Sequence, residues 1–147
     1  VSAIIDGEMQ LHVAYCAQWG ITEDQMAATP EDPANMAYTR YVLERGLAGD
    51  GLDLAVALAP CIVGYAEVAA FLLSSPDTIL DDNPYREWIE TYADEDYQDV
   101  AWGHASHLDR LMAARGGPGR IAALSKTFHD ATRLEIGFWQ MGVDRVS

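Results

Sequence analysis

Two side chains occupy positions where their chemistry is unexpected. Cys61 lies in the middle of a long apolar helical stretch, and Glu135 lies on the face of the last predicted helix that should be hydrophobic. A cysteine thiolate is a strong nucleophile. A carboxyl group on an apolar face must be protonated, hydrogen-bonded or directed at a ligand, because burying it unpaired is costly. Together the two residues indicate an enzyme, although a structural cysteine and a satisfied core glutamate would explain each one alone.

Three tyrosines are candidates for the wall of a ligand pocket near this pair. Tyr65 follows Cys61 by one helical turn, so the two side chains should point into the same space. Tyr38 and Tyr92 lie on two other predicted helices. Flat rings stack on ligands and hydroxyl groups orient them, so the three residues are predicted to bind a substrate. The alternative is ordinary core packing, which is the commoner role of aromatic residues at helical spacing.

A metal site is not predicted. Glu8 and His12 are spaced i, i+4, and His104 and His107 are spaced i, i+3. An ion site needs three or four converging ligands. Glu8 and His12 have no evident second carboxylate–histidine pair on another helix, and His104 and His107 have no matching acid one turn away on their face. No cofactor is predicted either, and the sequence contains no Gly-rich phosphate loop. It also lacks the G-x-S-x-G motif of a serine nucleophile.

Helical periodicity dominates the elements that must position these residues. The predicted helices run over about 2–19, 34–47, 52–73, 95–115 and 119–142, with a short helix after Thr22 and another after Pro84. Gly20 should end the first helix, Thr22 and Gln25 should form a capping box, and Asp94 should cap the helix over about 95–115. Pro84 suits the first turn of its helix. We therefore expect an all-α fold of antiparallel helices, in a single domain covering residues 1–147.

Apolar stripes are predicted to align the candidate residues on two of these helices. One stripe consists of Leu54, Leu58, Cys61, Tyr65, Val68 and Leu72. The other consists of Ile121, Leu124, Phe128, Ala131, Glu135 and Phe138. Pro60 has no N–H for the carbonyl of Val56 and should kink its helix beside the thiol, at a cost of about 3 kcal/mol that requires some compensating reason.

Composition narrows the possible partners. The 147 residues carry nine Lys and Arg against 23 Asp and Glu, a net charge of −14 that argues against nucleic-acid binding. Two cysteines are too few for a disulfide framework, so we expect reduced thiols and a cytoplasmic protein. No signal peptide is visible at the start, and no run approaches the roughly eighteen apolar residues of a membrane span.

Five segments, in order along nearly the whole chain, resemble the TenA/THI-4 family. They are Glu8-x-x-x-His12 with Tyr15; Ala37-Tyr38-Thr39-x-Tyr41; Leu58-Ala59-Pro60-Cys61-x-x-x-Tyr65-x-Glu67; Tyr85-x-x-Trp88-Ile89-x-Thr91-Tyr92; and Phe128 with Glu135-x-x-Phe138-Trp139-x-Met141. This family is the thiaminase II, or aminopyrimidine aminohydrolase, group of the haem-oxygenase-like helical fold. The resemblance implies that fold, thiamin salvage as the setting, a pyrimidine as substrate and a homodimer or homotetramer as the assembly.

The resemblance also implies roles at the matching positions. Cys61 resembles the nucleophile that adds to the pyrimidine ring, and Glu135 the acid that protonates a ring nitrogen. Tyr65 and Tyr92 resemble hydroxyls that orient this pair and the substrate, and Tyr38 resembles a pocket wall. An amine or thiazole then leaves the exocyclic methylene and water takes its place. The sequence offers no obvious basic partner for the thiol.

Family members begin with two further helices, which carry an Asp that binds the exocyclic amino group and an aromatic that stacks on the ring. We find no counterpart in this chain and expect an N-terminally shortened form of the fold: a fragment, a dimer that covers the gap, or an inactive protein. The alternative function is therefore a non-catalytic ligand-binding or assembly module. Transcriptional regulation conflicts with the charge, and a metal-dependent oxidase would need ligands beyond Glu8 and His12.

Overall fold

The computed structural model describes residues 9–144, apart from the side chain of Leu11, and those residues form α-helices without any strand. The helices are α1 (Met9–Gln18), α2 (Glu23–Ala28), α3 (Pro33–Ala48), α4 (Gly51–Ser74), α5 (Arg86–Ala93), α6 (Glu95–Arg115) and α7 (Pro118–Asp144). The all-α prediction is confirmed. The chain divides between Asp32 and Pro33 into two compact units. That residues 1–147 form a single domain stays a prediction.

The first unit contains α1 and α2, whose boundaries follow the predicted signals. Gly20 adopts a φ of +74° just after α1, and its N–H donates to the carbonyl of Ala17 at 3.0 Å. The Thr22 hydroxyl accepts from the Gln25 N–H at 3.2 Å, and the Gln25 side-chain oxygen accepts from the Thr22 N–H at 2.8 Å. This reciprocal pair is the predicted capping box, which satisfies two donors at the start of α2.

The second unit is built around α4, which contacts α3, α5, α6 and α7. Its buried face consists mainly of small residues, namely Leu52, Ala55, Ala57, Ala59, Pro60, Ala66 and Ala69. Alanine lets neighbouring helices approach closely, so α4 can be surrounded on several sides. The predicted stripe through Cys61 and Tyr65 is only partly buried, and Val68 within it is 50% exposed.

The stripe predicted for α7 was wrong in part. The buried side chains are Leu124, Thr127, Ala131 and Glu135. Ile121 and Phe128 are instead 52% and 47% exposed. The buried line is narrower than the apolar pattern because α7 packs against α3 and α4 along one strip of small and medium side chains. Glu135 does lie on the buried face, as predicted.

The start of α5 also differs from expectation. Pro84 lies before the helix rather than in its first turn, and Tyr85 is the residue that precedes the first helical position. The side chain of Asn83 accepts from the Tyr85 N–H at 2.9 Å, which places Pro84 within that turn. The predicted cap of α6 is confirmed, since Asp94 Oδ1 accepts from the Asp96 N–H at 2.9 Å.

Helix α4 is long and apolar enough to cross a membrane by length and composition, with a mean hydropathy of 2.0 over its most apolar window. The expectation that no segment comes near a membrane span was wrong on this measure. A core helix of a soluble protein passes the same test, so a single helix of this kind is weak support for a span. Helix α4 contacts four other helices, and 28% of its most apolar window is buried.

One arginine ties three helix ends together in the second unit. Asp50 caps α4, and its carboxylate accepts from the Leu52 N–H at 2.9 Å. The Arg120 guanidinium, in the first turn of α7, donates to Asp50 at 3.1 and 3.2 Å and to Asp53 at 2.7 Å. It also donates to the carbonyl of Arg115 at the end of α6 at 2.9 Å. The bond from Arg120 is the main reason that the pKa of Asp50 falls from 3.8 to about 2.

We expect Arg120→Gln to lower the midpoint of urea unfolding at pH 7. A carboxylate with a depressed pKa stabilises the fold above its unfolded pKa, and that contribution is lost as the pH falls through the folded value. The difference between variant and wild type should therefore shrink between pH 4 and pH 2, which spans the two pKa values of Asp50. Arg133→Gln, an exposed change on the same helix, is the control. A pH-independent difference would show that the ionised Asp50 is not the relevant partner.

Candidate active site

The candidate site is built in successive helical turns on α3, α4 and α7. A buried cluster joins Tyr38 and Val42 of α3 to Ala57 of α4 and Ala131 of α7. Ala57 and Ala131 are completely buried. One turn beyond them lie Cys61 on α4 and Glu135 on α7, because residues four apart share a helix face. The close contact at the alanines thus brings the thiol-bearing and carboxyl-bearing turns to the same region.

The carboxyl group of Glu135 is held by a tyrosine from α4. The Tyr65 hydroxyl donates to Glu135 Oε1 at 2.7 Å, and Glu135 is only 7% exposed. Its other oxygen, Oε2, is buried and has no hydrogen-bond partner. Burial raises the pKa of the Tyr65 hydroxyl most, and the hydrogen bond to the Glu135 carboxylate raises it further. The hydroxyl therefore stays protonated at neutral pH and can donate.

Tyr38 lies between the two chemical groups. Burial, then the Cys61 thiol, then Glu135 raise the pKa of the Tyr38 hydroxyl, so it too stays protonated. Its oxygen is buried and makes no hydrogen bond of ordinary geometry. Buried polar groups are normally satisfied. Tyr38 Oη and Glu135 Oε2 are two buried polar atoms in one site that lack a hydrogen bond of ordinary geometry within the described protein.

The thiol of Cys61 is partly exposed and its sulfur donates to the carbonyl of Leu58 at 3.1 Å. Cys61 also packs against the buried cluster of Tyr38, Val42, Ala57 and Ala131. Pro60, which precedes it, is buried within the continuous helix α4. The nucleophile candidate is thus fixed in place by its own helix while remaining accessible.

A group of aromatic rings lies beside Glu135, and two of its members, Tyr65 and Trp139, come one helical turn after Cys61 and Glu135. Tyr65 lies 5.3 Å from Tyr92, 5.8 Å from Trp88 and 5.5 Å from Trp139 between ring centroids. Trp88 lies 4.8 Å from Tyr92 and 5.4 Å from Trp139. Tyr92 is buried, whereas Trp139 is 44% exposed. These four rings offer apolar faces on which a flat heterocycle could stack.

The structure brings the five predicted residues into one region of the second unit. Sequence reasoning gave no role to Trp88 and Trp139, although both stand within the matched segments. The signal was their spacing: Trp88 precedes Tyr92 by one turn, and Trp139 follows Glu135 by one turn. Whether the five residues act on a substrate stays a prediction.

The metal-ligating candidates within the described residues are His12, His104 and His107. Glu8 lies outside the described residues. Among residues 9–144 the structure contains no group of three or more His, Cys, Asp or Glu side chains that could hold a metal ion. The His104 Nε2 contacts the carbonyl of Ala55 at 2.9 Å, a main-chain contact between α6 and α4.

We expect Tyr65→Phe to lower the free energy of unfolding by about 1 to 3 kcal/mol, because it removes the donor of a buried carboxyl group while keeping the ring. Urea unfolding measures the loss. Tyr85→Phe, at a tyrosine that is 60% exposed, should have almost no effect. Equal effects of the two changes would mean that the bond to Glu135 contributes nothing to folding.

Residues 1–145 match the model of the TENA/THI-4/PQQC family. The chain belongs to this family. The TenA/THI-4 resemblance of the five segments is thereby confirmed.

Relatives of this TenA-family chain include proteins named aminopyrimidine aminohydrolase. An aminopyrimidine aminohydrolase of Halalkalibacterium halodurans is 34% identical over 140 residues, which are 95% of this chain and 61% of that protein. An uncharacterised protein of Haemophilus influenzae is 42% identical over 141 residues, 96% of this chain and 65% of the relative. The chain therefore spans less than two thirds of the length of these relatives.

Solved structures share the fold. A crystal structure described as a TenA family transcription regulator from Silicibacter sp. superposes with a TM-score of 0.87 at 43% identity, covering 97% of this chain and 64% of that one. A TenA homologue from P. horikoshii superposes with a TM-score of 0.80 at 25% identity. The helical TenA-type fold of the matched part is thus established.

Proposed function

We propose that this chain hydrolyses an aminopyrimidine, or thiamin itself, in thiamin salvage. The observation that carries the proposal is the 2.7 Å hydrogen bond from Tyr65 to the buried Glu135, whose second oxygen has no partner. A buried carboxyl group with one oxygen hydrogen-bonded and the other unpaired is suited to exchange a proton with a ring nitrogen. The relatives named aminopyrimidine aminohydrolase support the substrate class.

In the proposed reaction the Cys61 sulfur forms a bond to a carbon of the pyrimidine ring. Glu135 gives a proton to a ring nitrogen, so the ring accepts the electron pair of the new bond. The protonated amine leaves from the exocyclic methylene as ammonia, or the thiazolium of thiamin leaves as neutral thiazole; water then adds to the methylene and gives up a proton to solvent. Return of the proton to Glu135 expels the thiolate, and the net products are the hydroxymethylpyrimidine and ammonia or thiazole.

The hydroxyls have positioning roles in this proposal. Tyr65 holds Glu135 and contacts the ring of Tyr92, so one side chain links the proton donor to the stacking surface. The Tyr38 hydroxyl stays protonated and has no hydrogen bond of ordinary geometry, so it is suited to donate to a ring nitrogen or to the departing thiolate. The half-exposed Trp139 would cover the open face of the ligand.

The test is release of ammonia from 4-amino-5-aminomethyl-2-methylpyrimidine by the 147-residue chain, with thiamin as the comparison substrate. Turnover of either supports the proposal, and their ratio identifies the preferred leaving group. Absence of turnover on both would overturn it.

A second candidate is a module that binds pyrimidines without turning them over. The exposed ring of Trp139 favours it, since a site open on one side admits a ligand but excludes water poorly. Binding of hydroxymethylpyrimidine by a chain without turnover would select this second function. A regulatory role through nucleic acid is not proposed, because the net charge of −14 opposes contact with phosphates. The homo-oligomer and the cytoplasmic location stay predictions.

A further inference from the structure

Helix α6 contributes none of the candidate site residues, yet its side chains contact the main chain of the helix that carries Cys61. The Tyr97 hydroxyl donates to the carbonyl of Ile62 at 3.2 Å. The Gln98 side-chain amide donates to the carbonyl of Ala66 at 3.1 Å. These two carbonyls belong to the residues directly after Cys61 and Tyr65. Side chains of α6 therefore hold the main chain of α4 next to Cys61 and next to Tyr65.

Gln98 makes a second bond that reaches a different helix. Its Nε2 also donates to the carbonyl of Tyr92 at 3.1 Å. This carbonyl lies in the last turn of α5, where main-chain carbonyls have no intrahelical donor. A carboxamide nitrogen carries two hydrogens, and the opposite orientation would place an oxygen acceptor against two carbonyls. Both donors of one half-buried amide thus join α4 to α5.

The two carbonyls that Gln98 contacts belong to the main chain at two tyrosines of the candidate site. Ala66 follows Tyr65 directly, and the other carbonyl belongs to Tyr92 itself. The rings of Tyr65 and Tyr92 meet edge to face with their centroids 5.3 Å apart. The ring of Tyr97 lies 4.6 Å from that of Tyr92 and supports it from the α6 side.

We propose that Gln98 is a positioning residue that sets the distance between Tyr65 and Tyr92, and through Tyr65 the place of the Glu135 carboxyl group. The inference rests on the proposed aminopyrimidine hydrolysis for its effect on rate. Gln98 touches no substrate in this proposal. It acts by holding two helices in the register at which the tyrosines meet.

Gln98→Met and Gln98→Glu test the inference. Methionine keeps the length of the side chain and removes both donors, whereas glutamate faces the two carbonyls with oxygens. We expect the near-ultraviolet circular dichroism of the aromatic rings to change while the far-ultraviolet signal of the helices is kept. We expect kcat to fall roughly tenfold with a smaller change in KM, because a displaced carboxyl group affects proton transfer more than stacking. If Gln98→Glu fails to fold, Gln98→Met carries the test.

Two controls separate positioning from simple destabilisation. Gln18→Glu makes the same chemical change at an exposed glutamine of α1 and should leave both spectra unchanged. Arg120→Gln weakens the fold away from the aromatic rings, so it should lower the unfolding midpoint without altering the near-ultraviolet spectrum of the folded chain.

The spectra need no substrate, so failure of the proposed function is distinguishable from failure of this inference. If the wild type has no turnover, the hydrolase proposal is overturned. A near-ultraviolet spectrum of Gln98→Met that differs from that of the wild type still supports the positioning of the rings. An active wild type whose Gln98→Met variant keeps its spectrum, or keeps its kcat, overturns the positioning role and leaves the hydrolase proposal intact.

Discussion

Replacing Cys61 by serine is expected to lower the release of ammonia from the aminopyrimidine by roughly 10³-fold or more, because a serine hydroxyl without a dedicated base is a far weaker nucleophile than a thiol. The change is small in volume. A serine hydroxyl can also donate to the carbonyl of Leu58, as the Cys61 thiol does at 3.1 Å. Helicity and unfolding midpoint should therefore be retained, and the loss should appear in kcat.

The matched control for this experiment is Cys16→Ser. Cys16 lies on α1 and belongs to the first compact unit, whereas Cys61 lies on α4 in the second. Cys16→Ser should keep the wild-type rate. Wild-type turnover in Cys61→Ser would remove the nucleophile assignment and leave direct attack of water, assisted by Glu135, as the mechanism to examine.

The helical elements were largely predictable, and so were the places of Cys61, Tyr65 and Glu135 on α4 and α7, because they depend on local spacing. Cys61 and Tyr65 are one turn apart, and Glu135 interrupts an apolar pattern, so each could be placed on a helix face from the sequence. Their meeting across two helices could only be expected from the resemblance to a family. The alanines at 57 and 131 that let these helices approach carry no chemical signal of their own.

Contacts between distant parts of the chain were not predictable in the same way. Gln98 donates to a carbonyl 32 residues away, and Arg120 to a carboxylate 70 residues away. A glutamine amid acidic residues and an arginine in a first helical turn both look like ordinary surface residues in the sequence. Their partners depend on the packing of α6 and α7 against α4, which no local pattern specifies.

Replacing Glu135 by glutamine is expected to lower kcat by roughly 10² to 10⁴-fold while changing ligand affinity only slightly. A glutamine oxygen can still accept from the Tyr65 hydroxyl, which donates to Glu135 Oε1 at 2.7 Å, so the site should keep its shape. The amide has no proton to transfer to a ring nitrogen. Affinity is measured by quenching of tryptophan fluorescence with hydroxymethylpyrimidine, since Trp88 and Trp139 belong to the aromatic rings of the site.

The exposed Glu87 provides the control, and Glu87→Gln should leave both kcat and affinity as in the wild type. Equal losses of turnover and binding in Glu135→Gln would assign Glu135 a structural role. The double variant with Cys61→Ser sharpens this distinction. If the thiol and the carboxyl group act in one addition step, the double variant should be no slower than the more impaired single variant, because either change alone already prevents that step. If the two losses multiply instead, the residues act in separate steps and the shared addition mechanism is wrong.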